Sequence, residues 1–182
     1  MPICPGPAGF SRSHPSLGLN MNHPNNAAWG TCGMAVAPHS LASQSALAVL
    51  RDGGNAIEAM IAAAATIAVV YPHMNSVGGD GFWMIHVPGE PPRAIDACGA
   101  AAARATIDFY RAQGLGSIPF RGGVAANTVA GTVSGWSLAL QYSTEAWGGR
   151  LPLARLLRDA IAYAKEGIPV TRSQHATTVA KL

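Results

Sequence analysis

A glycine-rich stretch with one acidic residue, Gly78-Gly79-Asp80-Gly81, is the first place in this sequence where chemistry could occur. Glycine-rich loops bind phosphate when they follow a strand and open a helix, because the helix N-terminus then faces the anion. Here an Ala-rich helical segment precedes the glycines and a strand-like segment follows them. The reversed order argues against a nucleotide-binding loop and favours a tight turn between two layers.

A second group of small residues, Gly131-Thr132-Val133-Ser134-Gly135, invites comparison with the loop of a serine nucleophile. The nucleophile elbow of serine hydrolases needs Gly-x-Ser-x-Gly after a strand. Ser134 does not have that spacing, and no clear strand leads into the segment. Small residues in this pattern are more typical of close backbone packing where a loop meets a helix.

His73 and Asn75 are polar residues in the loop that follows Pro72. We expect them to be hydrogen-bonded supports of the loop rather than catalysts, since polar groups in such positions are normally paired. His39, after Pro38, has the same interpretation at the start of a helix. The six histidines show no i, i+4 pair with a neighbouring glutamate, so the sequence predicts neither a metal site nor a cofactor.

Cysteine use indicates a reducing compartment. Cys4, Cys32 and Cys98 are an odd number and form no Cys-x-x-Cys pair, which argues against a disulfide framework and a zinc knuckle. Cys98 has no adjacent histidine or lysine that would favour a thiolate, so we expect a buried packing residue there.

Composition places the chain among well-buried globular proteins. Of its 182 residues, 49% are hydrophobic and 12% are charged, and the net charge of +3 is scattered singly along the chain. Such scatter gives no basic face for nucleic acid. The longest apolar run, residues 59–71, is shorter than the roughly 20 residues of a membrane span, and residues 1–30 lack a secretory signal. We therefore expect a cytoplasmic protein with no nucleic-acid or membrane partner.

Two early helices must position the glycine stretch. Ser40 is the expected N-cap of a helix over residues 41–51, which stops at a pair of glycines. Asn55 and Glu58 have capping-box spacing and predict a second helix that ends before Tyr71, since the following proline disfavours helical geometry there. This second helix is apolar all round and must be covered on several sides, as in a layered sandwich.

The remaining elements follow from turn residues and hydrophobic periodicity. Residues 1–30 predict a flexible leader, and residues 31–182 predict one domain. A short apolar run at 34–37 has the length of a strand. We expect a hairpin of strands 82–87 and 93–97, a helix capped by Thr106 that ends near Gln113, a loop over 114–123, and two last helices at 133–142 and 153–165.

Four blocks of the sequence can be compared with known families by their order and spacing. They are residues 37–59, residues 71–83 around the glycines, residues 129–135 and residues 151–170. In order and spacing they resemble the large subunit of the gamma-glutamyltranspeptidase family of N-terminal-nucleophile hydrolases. The resemblance implies an α/β (α+β) fold that is part of the αββα sandwich of those enzymes. It identifies residues 31–182 as the N-terminal part of a large subunit, incomplete as given.

The chemistry of that family implies a nucleophile outside this chain. Self-cleavage of a precursor frees a threonine at the start of the small subunit, where its own amine acts as base for its hydroxyl. We therefore expect no catalytic residue here, and the small subunit of the same precursor as partner. The resemblance places the glycine stretch near the nucleophile and substrate, with Asp80 where many members have glycine. The expected substrate-binding residues are His73, Asn75, Asp80, Cys98 and Gly99.

Residues 96–102 depart from the family pattern. In gamma-glutamyl-specific relatives this block reads Asp-x-Arg-Glu-x-Ala-Pro, and the planar arginine forks onto the substrate carboxylate. Cys98 and Gly99 stand at the Arg and Glu positions, so either another cation such as Arg104 binds the carboxylate or the substrate differs. The resemblance then implies hydrolysis of a small amide such as oxamate. A gamma-glutamyltransferase or glutathione hydrolase, and a non-catalytic scaffold, remain as alternatives.

Overall fold

A computed structural model describes residues 28–181 of the chain. The described residues divide into two units, with the boundary between Met34 and Ala35. Residues 28–34 of the first unit contain no helix or strand, and the rest of the predicted leader lies outside the described residues. The elements of the second unit are α1 (Ser40–Arg51), α2 (Ala56–Val70), β1 (Gly81–Ile85), β2 (Arg93–Ala97), α3 (Ile107–Ala112), a 3₁₀ turn (Gly123–Ala125), α4 (Thr132–Trp147), α5 (Leu153–Glu166) and α6 (Arg172–Val179).

Helix α2 is the centre of the core. It packs against α1, α4 and α5, and its Ala, Ile and Val side chains are buried over most of its length. The capping box that starts it is confirmed, because Asn55 Oδ1 accepts the N–H of Glu58 (3.0 Å) and Glu58 Oε2 accepts the N–H of Asn55 (2.8 Å). A helix that is apolar on every side is thus covered on several sides, as the sequence predicts.

The hairpin of β1 and β2 is also confirmed and is antiparallel, with Gly81 opposite Ala97 and Ile85 opposite Arg93. Its side chains alternate between two faces. Ile85 and Ala97 are buried on the face that packs against α4, whereas Phe82 and Met84 are 69% and 82% exposed on the other face. Within the described residues the sheet contains these two strands alone.

Two predicted helix boundaries and the number of helices need correction. The N-cap of α1 is His39 and not Ser40, because His39 Nδ1 accepts the N–H of Leu41 at 3.2 Å. Helix α4 continues past residue 142 to Trp147, where Gly148 ends it in the left-handed conformation with φ of 62°. Helix α5 is not the last helix. Thr171 caps α6 after it, and α6 was missed because it buries no residue and so has no hydrophobic period.

Two strand boundaries also differ from the prediction. Strand β1 stops at Ile85, two residues early, because the carbonyl of Val87 accepts the N–H of Glu90 (3.0 Å) and begins the turn. Residues 34–37 belong to no strand in the described part of the chain, since a strand needs a paired neighbour and the described sheet offers them none. Among the described helices, none has both the length and the apolar character needed to span a bilayer.

Candidate functional site

Gly79, Asp80 and Gly81 of the glycine stretch line a cavity of about 610 Å³ between α2, the loop that follows it and the first turns of α4. Three of the predicted substrate-binding residues, His73, Asn75 and Asp80, line this cavity together. Thr132 and Trp136 line it from α4. The structure thus brings together polar groups that the sequence places up to 59 positions apart, from His73 to Thr132.

His73 and Asn75 have the supporting contacts expected of them. His73 Nε2 lies 2.8 Å from Ser173 Oγ, a contact between the loop and α6. The His73 ring also contacts that of Tyr71, with the centroids 4.2 Å apart and the ring planes tilted by 60°. Asn75 Nδ2 donates to the carbonyl of Tyr71 at 3.5 Å. Sequence reasoning could not have found Ser173, because the contact spans 100 positions and no local pattern marks it.

The carbonyl of Gly79 joins the glycine stretch to the start of α4. It accepts the backbone N–H of Gly131 and of Thr132, both at 3.0 Å, and the Thr132 hydroxyl at 2.7 Å. Glycine is required at 131, since a Cβ there would lie 2.0 Å from the carbonyl oxygen of Ala97. The segment 131–135 therefore serves close backbone packing, as its small residues predict. Thr132 is a cavity-lining residue that the sequence analysis did not single out.

Cys98 and Gly99 do not line the cavity but lie directly beside it. Asp80, which does line it, accepts the N–H of Gly99 at 3.1 Å through Oδ1, and Asp96 Oδ1 accepts the N–H of Cys98 at 2.9 Å. The expectation that Cys98 is buried is wrong, because its side chain is exposed. It follows Ala97, the last paired residue of β2, and so lies just beyond the end of the strand.

Two neighbouring carboxylates keep the Cys98 thiol protonated. A hydrogen bond to Asp80 is the main factor that raises the pKa of Cys98, and desolvation and the negative charges of Asp80 and Asp96 raise it further. A thiol nucleophile needs the opposite environment, one that stabilises the thiolate. The geometry thus gives Cys98 a role in shaping the site rather than in covalent chemistry.

Gly99 lies too close to the backbone of Val129 to carry a side chain. A Cβ at this position would lie 1.4 Å from the carbonyl oxygen of Val129, so the backbone would have to move to admit one. The adjoining segment pairs with residues 127–129, because Val129 N donates to Ala100 O at 3.0 Å and Ala102 N donates to Asn127 O at 2.9 Å. The glutamate that the family resemblance suggests for this position would have no room here.

Arg104 does not take the place of the missing arginine in this structure. It lines a separate, mainly apolar cavity of about 200 Å³ with Phe109, Tyr110 and Asn127, and none of the residues around that cavity belongs to the larger one. The lining of the larger cavity contains no lysine or arginine among residues 28–181. In the same part of the chain, no three His, Cys, Asp or Glu side chains are grouped as metal ligands.

Comparison with known proteins agrees with this geometry. The family model described as gamma-glutamyltranspeptidase matches residues 42–181. The crystal structure of Helicobacter pylori gamma-glutamyltranspeptidase is similar with a TM-score of 0.71 and 31% identity, over 83% of this chain and 42% of that one. Its fold is the α/β sandwich of N-terminal-nucleophile hydrolases, so the described helices and hairpin are part of that sandwich.

Two curated relatives are similar to this chain in sequence. The oxamate amidohydrolase proenzyme of Klebsiella pneumoniae is 64% identical over 152 residues, which is 84% of this chain and 28% of the relative. The glutathione hydrolase-like YwrD proenzyme of Bacillus subtilis is 40% identical over 82% of this chain and 27% of the relative. The chain therefore belongs to the gamma-glutamyltranspeptidase family. It spans just over a quarter of the length of these two relatives.

Proposed function

We propose that this chain supplies part of the large subunit of a self-processing amidohydrolase, and that its substrate is a small amide such as oxamate. The observation that carries the proposal is the 64% identity to an oxamate amidohydrolase proenzyme. Residues His73, Asn75, Asp80, Cys98 and Gly99 form the large-subunit side of the substrate site, and the nucleophilic threonine comes from the small subunit of the same precursor.

The lining of the cavity supports a substrate other than a gamma-glutamyl compound. Recognition of a glutamyl carboxylate needs a planar cation that makes two parallel hydrogen bonds. Cys98 occupies the position of that cation, and Arg104 lines a different cavity. Oxamate also carries a carboxylate, but it is bonded directly to the amide carbon, whereas the glutamyl chain separates the glutamyl carboxylate from its amide carbon. The proposed reaction therefore places the oxamate carboxylate beside the nucleophile, and the loss of arginine removes a contact that only the more distant glutamyl carboxylate would use.

In the proposed reaction the threonine hydroxyl adds to the amide carbonyl of oxamate and the threonine amine takes its proton. The tetrahedral intermediate collapses with loss of ammonia and leaves an ester on the threonine. Water then adds to the ester and releases oxalate, which restores the hydroxyl. The residues of this chain bind and orient the substrate and form no covalent bond to it.

The test is a substrate comparison on the complete precursor that the gene encodes. Mass spectrometry should show its cleavage into two subunits, and the processed protein should release ammonia and oxalate from oxamate. Turnover of gamma-glutamyl anilide should be slow compared with that of oxamate. The matched control is Met1–Leu182 alone, which should turn over neither substrate.

Three outcomes would contradict the proposal in different ways. Preference for the glutamyl anilide would assign a gamma-glutamyltransferase or glutathione hydrolase instead. A precursor that neither cleaves itself nor turns over any amide would favour a non-catalytic scaffold. Turnover by Met1–Leu182 alone would overturn the assignment of the nucleophile to another subunit.

A further inference from the structure

Asp80 lies one step beyond the end of the hairpin ladder. The last pair of the ladder is Gly81 with Ala97. Continuing the same antiparallel register places Asp80 opposite Cys98 and Gly79 opposite Gly99. The glycine stretch and the segment around Cys98 are therefore neighbours in register, although no backbone pairing extends that far.

No backbone carbonyl of the glycine stretch accepts the N–H of Gly99. The Gly79 carbonyl, its neighbour in register, already accepts two N–H groups and one hydroxyl from the start of α4. The N–H of Gly99 donates instead to Asp80 Oδ1 at 3.1 Å. A carboxylate side chain thus replaces a ladder carbonyl at this point.

The opposite side of the same segment is fixed by backbone. The Val129 carbonyl leaves no space for a Cβ at Gly99, and the Val129 N–H donates to the carbonyl of Ala100 at 3.0 Å. The segment that carries Cys98 is held between this backbone and the Asp80 carboxylate. Asp80 also lines the cavity, so its contact with Gly99 links the position of the Cys98 segment to the cavity.

The charge at this corner of the site is negative. Asp80 and Asp96 both contact the Cys98–Gly99 backbone, and the cavity lining contains no lysine or arginine among the described residues. The raised pKa of Cys98 is consistent with this, because the nearby carboxylates disfavour a thiolate. A glutamyl carboxylate at this corner would meet the same repulsion beside Asp80, whereas the carboxylate of oxamate is bonded to the reacting amide carbon and would lie beside the nucleophile.

We propose that Asp80 is a positioning and specificity-determining residue, which holds the Cys98–Gly99 segment beside the cavity and disfavours a glutamyl carboxylate at that corner. The role extends the proposed function and rests on it for the choice of substrates. A glycine at this position could perform neither task, because it has no side chain to accept the Gly99 N–H.

Two variants separate the hydrogen bond from the charge. Asp80→Asn keeps an oxygen that can accept the Gly99 N–H and removes the charge, whereas Asp80→Ala removes both. Glu90→Gln is the matched control, because it makes the same acid-to-amide change in the exposed turn at the other end of the hairpin. All three are made in the complete precursor and compared after processing, by kcat and KM for oxamate and for gamma-glutamyl anilide.

Asp80→Ala should lower kcat/KM for oxamate by about tenfold or more, since a hydrogen bond to a charged group is lost. Asp80→Asn should lose less than Asp80→Ala and should raise kcat/KM for the glutamyl anilide by roughly five- to tenfold, a modest gain because the removed charge is exposed. Glu90→Gln should match the unmodified enzyme. Equal effects of Asp80→Asn and Asp80→Ala on both substrates would overturn the proposal.

A second measurement does not depend on turnover, so it tests the role of Asp80 even if the proposed substrate is wrong. Iodoacetamide labelling of Cys98 is followed by peptide mass spectrometry from pH 7 to pH 11, with exposed Cys32 as internal reference. In the unmodified protein, Cys98 should react only as the pH rises past the usual thiol range, because its pKa is raised. Asp80→Asn should shift that rise to lower pH.

The two failures look different. If the unmodified enzyme ignores oxamate but Asp80→Asn still shifts the labelling of Cys98, the proposed substrate is wrong and the Asp80 contact stands. If oxamate is hydrolysed but neither the substrate ratio nor the labelling responds to Asp80→Asn, the proposed function stands and the role of Asp80 is refuted.

Discussion

Glu58 offers the sharpest test of how the core is held together. It is 1% exposed, yet its carboxylate accepts three backbone N–H groups: Asn55 at 2.8 Å, Arg150 at 2.8 Å and Leu151 at 2.7 Å. The first bond completes the capping box of α2, and the other two hold the loop between α4 and α5. One side chain therefore joins two parts of the chain that are 92 positions apart.

Glu58→Gln changes the fewest atoms. The amide has one acceptor oxygen, so if that oxygen stays on Arg150 and Leu151, the NH₂ group faces the N–H of Asn55 and that bond is lost. A hydrogen bond to a charged group contributes about 1.5–3 kcal/mol and a neutral one about 1 kcal/mol. One lost bond and two weakened ones cost about 2.5–7 kcal/mol, and the easier burial of a neutral amide offsets part of this. We expect a net loss of about 2–4 kcal/mol.

Hydrogen–deuterium exchange in the complete precursor measures this loss locally. A loss of that size should speed exchange of the Arg150 and Leu151 amides by about thirty- to a thousandfold. Glu145→Gln is the control, since Glu145 is exposed on α4 and its carboxylate accepts one side-chain bond from Gln141 at 2.9 Å. If Glu58→Gln exchanged no faster than Glu145→Gln at these amides, the reasoning from buried carboxylate bonds would be refuted.

Three further predictions concern the site and the leader. Gly99→Ala should destabilise the protein by about 3 kcal/mol or more through its clash with Val129, while Gly116→Ala, with open space around it, should leave thermal unfolding nearly unchanged. Cys98→Arg alone should shift the kcat/KM ratio toward gamma-glutamyl anilide by roughly ten- to a hundredfold, and no shift would mean that the lost fork does not set specificity. It should not be combined with Gly99→Glu, which the Val129 carbonyl excludes. Deleting residues 1–20 should preserve activity, and a fall in melting temperature beyond the roughly 2–4 °C expected for 1 kcal/mol would show that the leader contributes to stability.

The sequence by itself determined the features that depend on a few neighbouring residues. The capping box of Asn55 and Glu58, the end of α2 before Pro72 and the β1–β2 hairpin were all predictable, because caps, proline and turn residues act within about four positions of themselves. The order of the motif blocks indicated the family, which the family match to residues 42–181 confirms. Local rules failed at α6, which buries nothing and so carries no periodic signal.

Tertiary structure alone decided which of these local features meet. Asp80 contacts Gly99, Gly79 contacts Thr132, and His73 contacts Ser173 across 19, 53 and 100 positions. No pattern of neighbouring residues encodes such pairs, since they depend on how helices and hairpin pack. Packing also made Cys98 an exposed residue between two carboxylates rather than a buried one, because the chain leaves β2 there and nothing in the described part of the chain covers it.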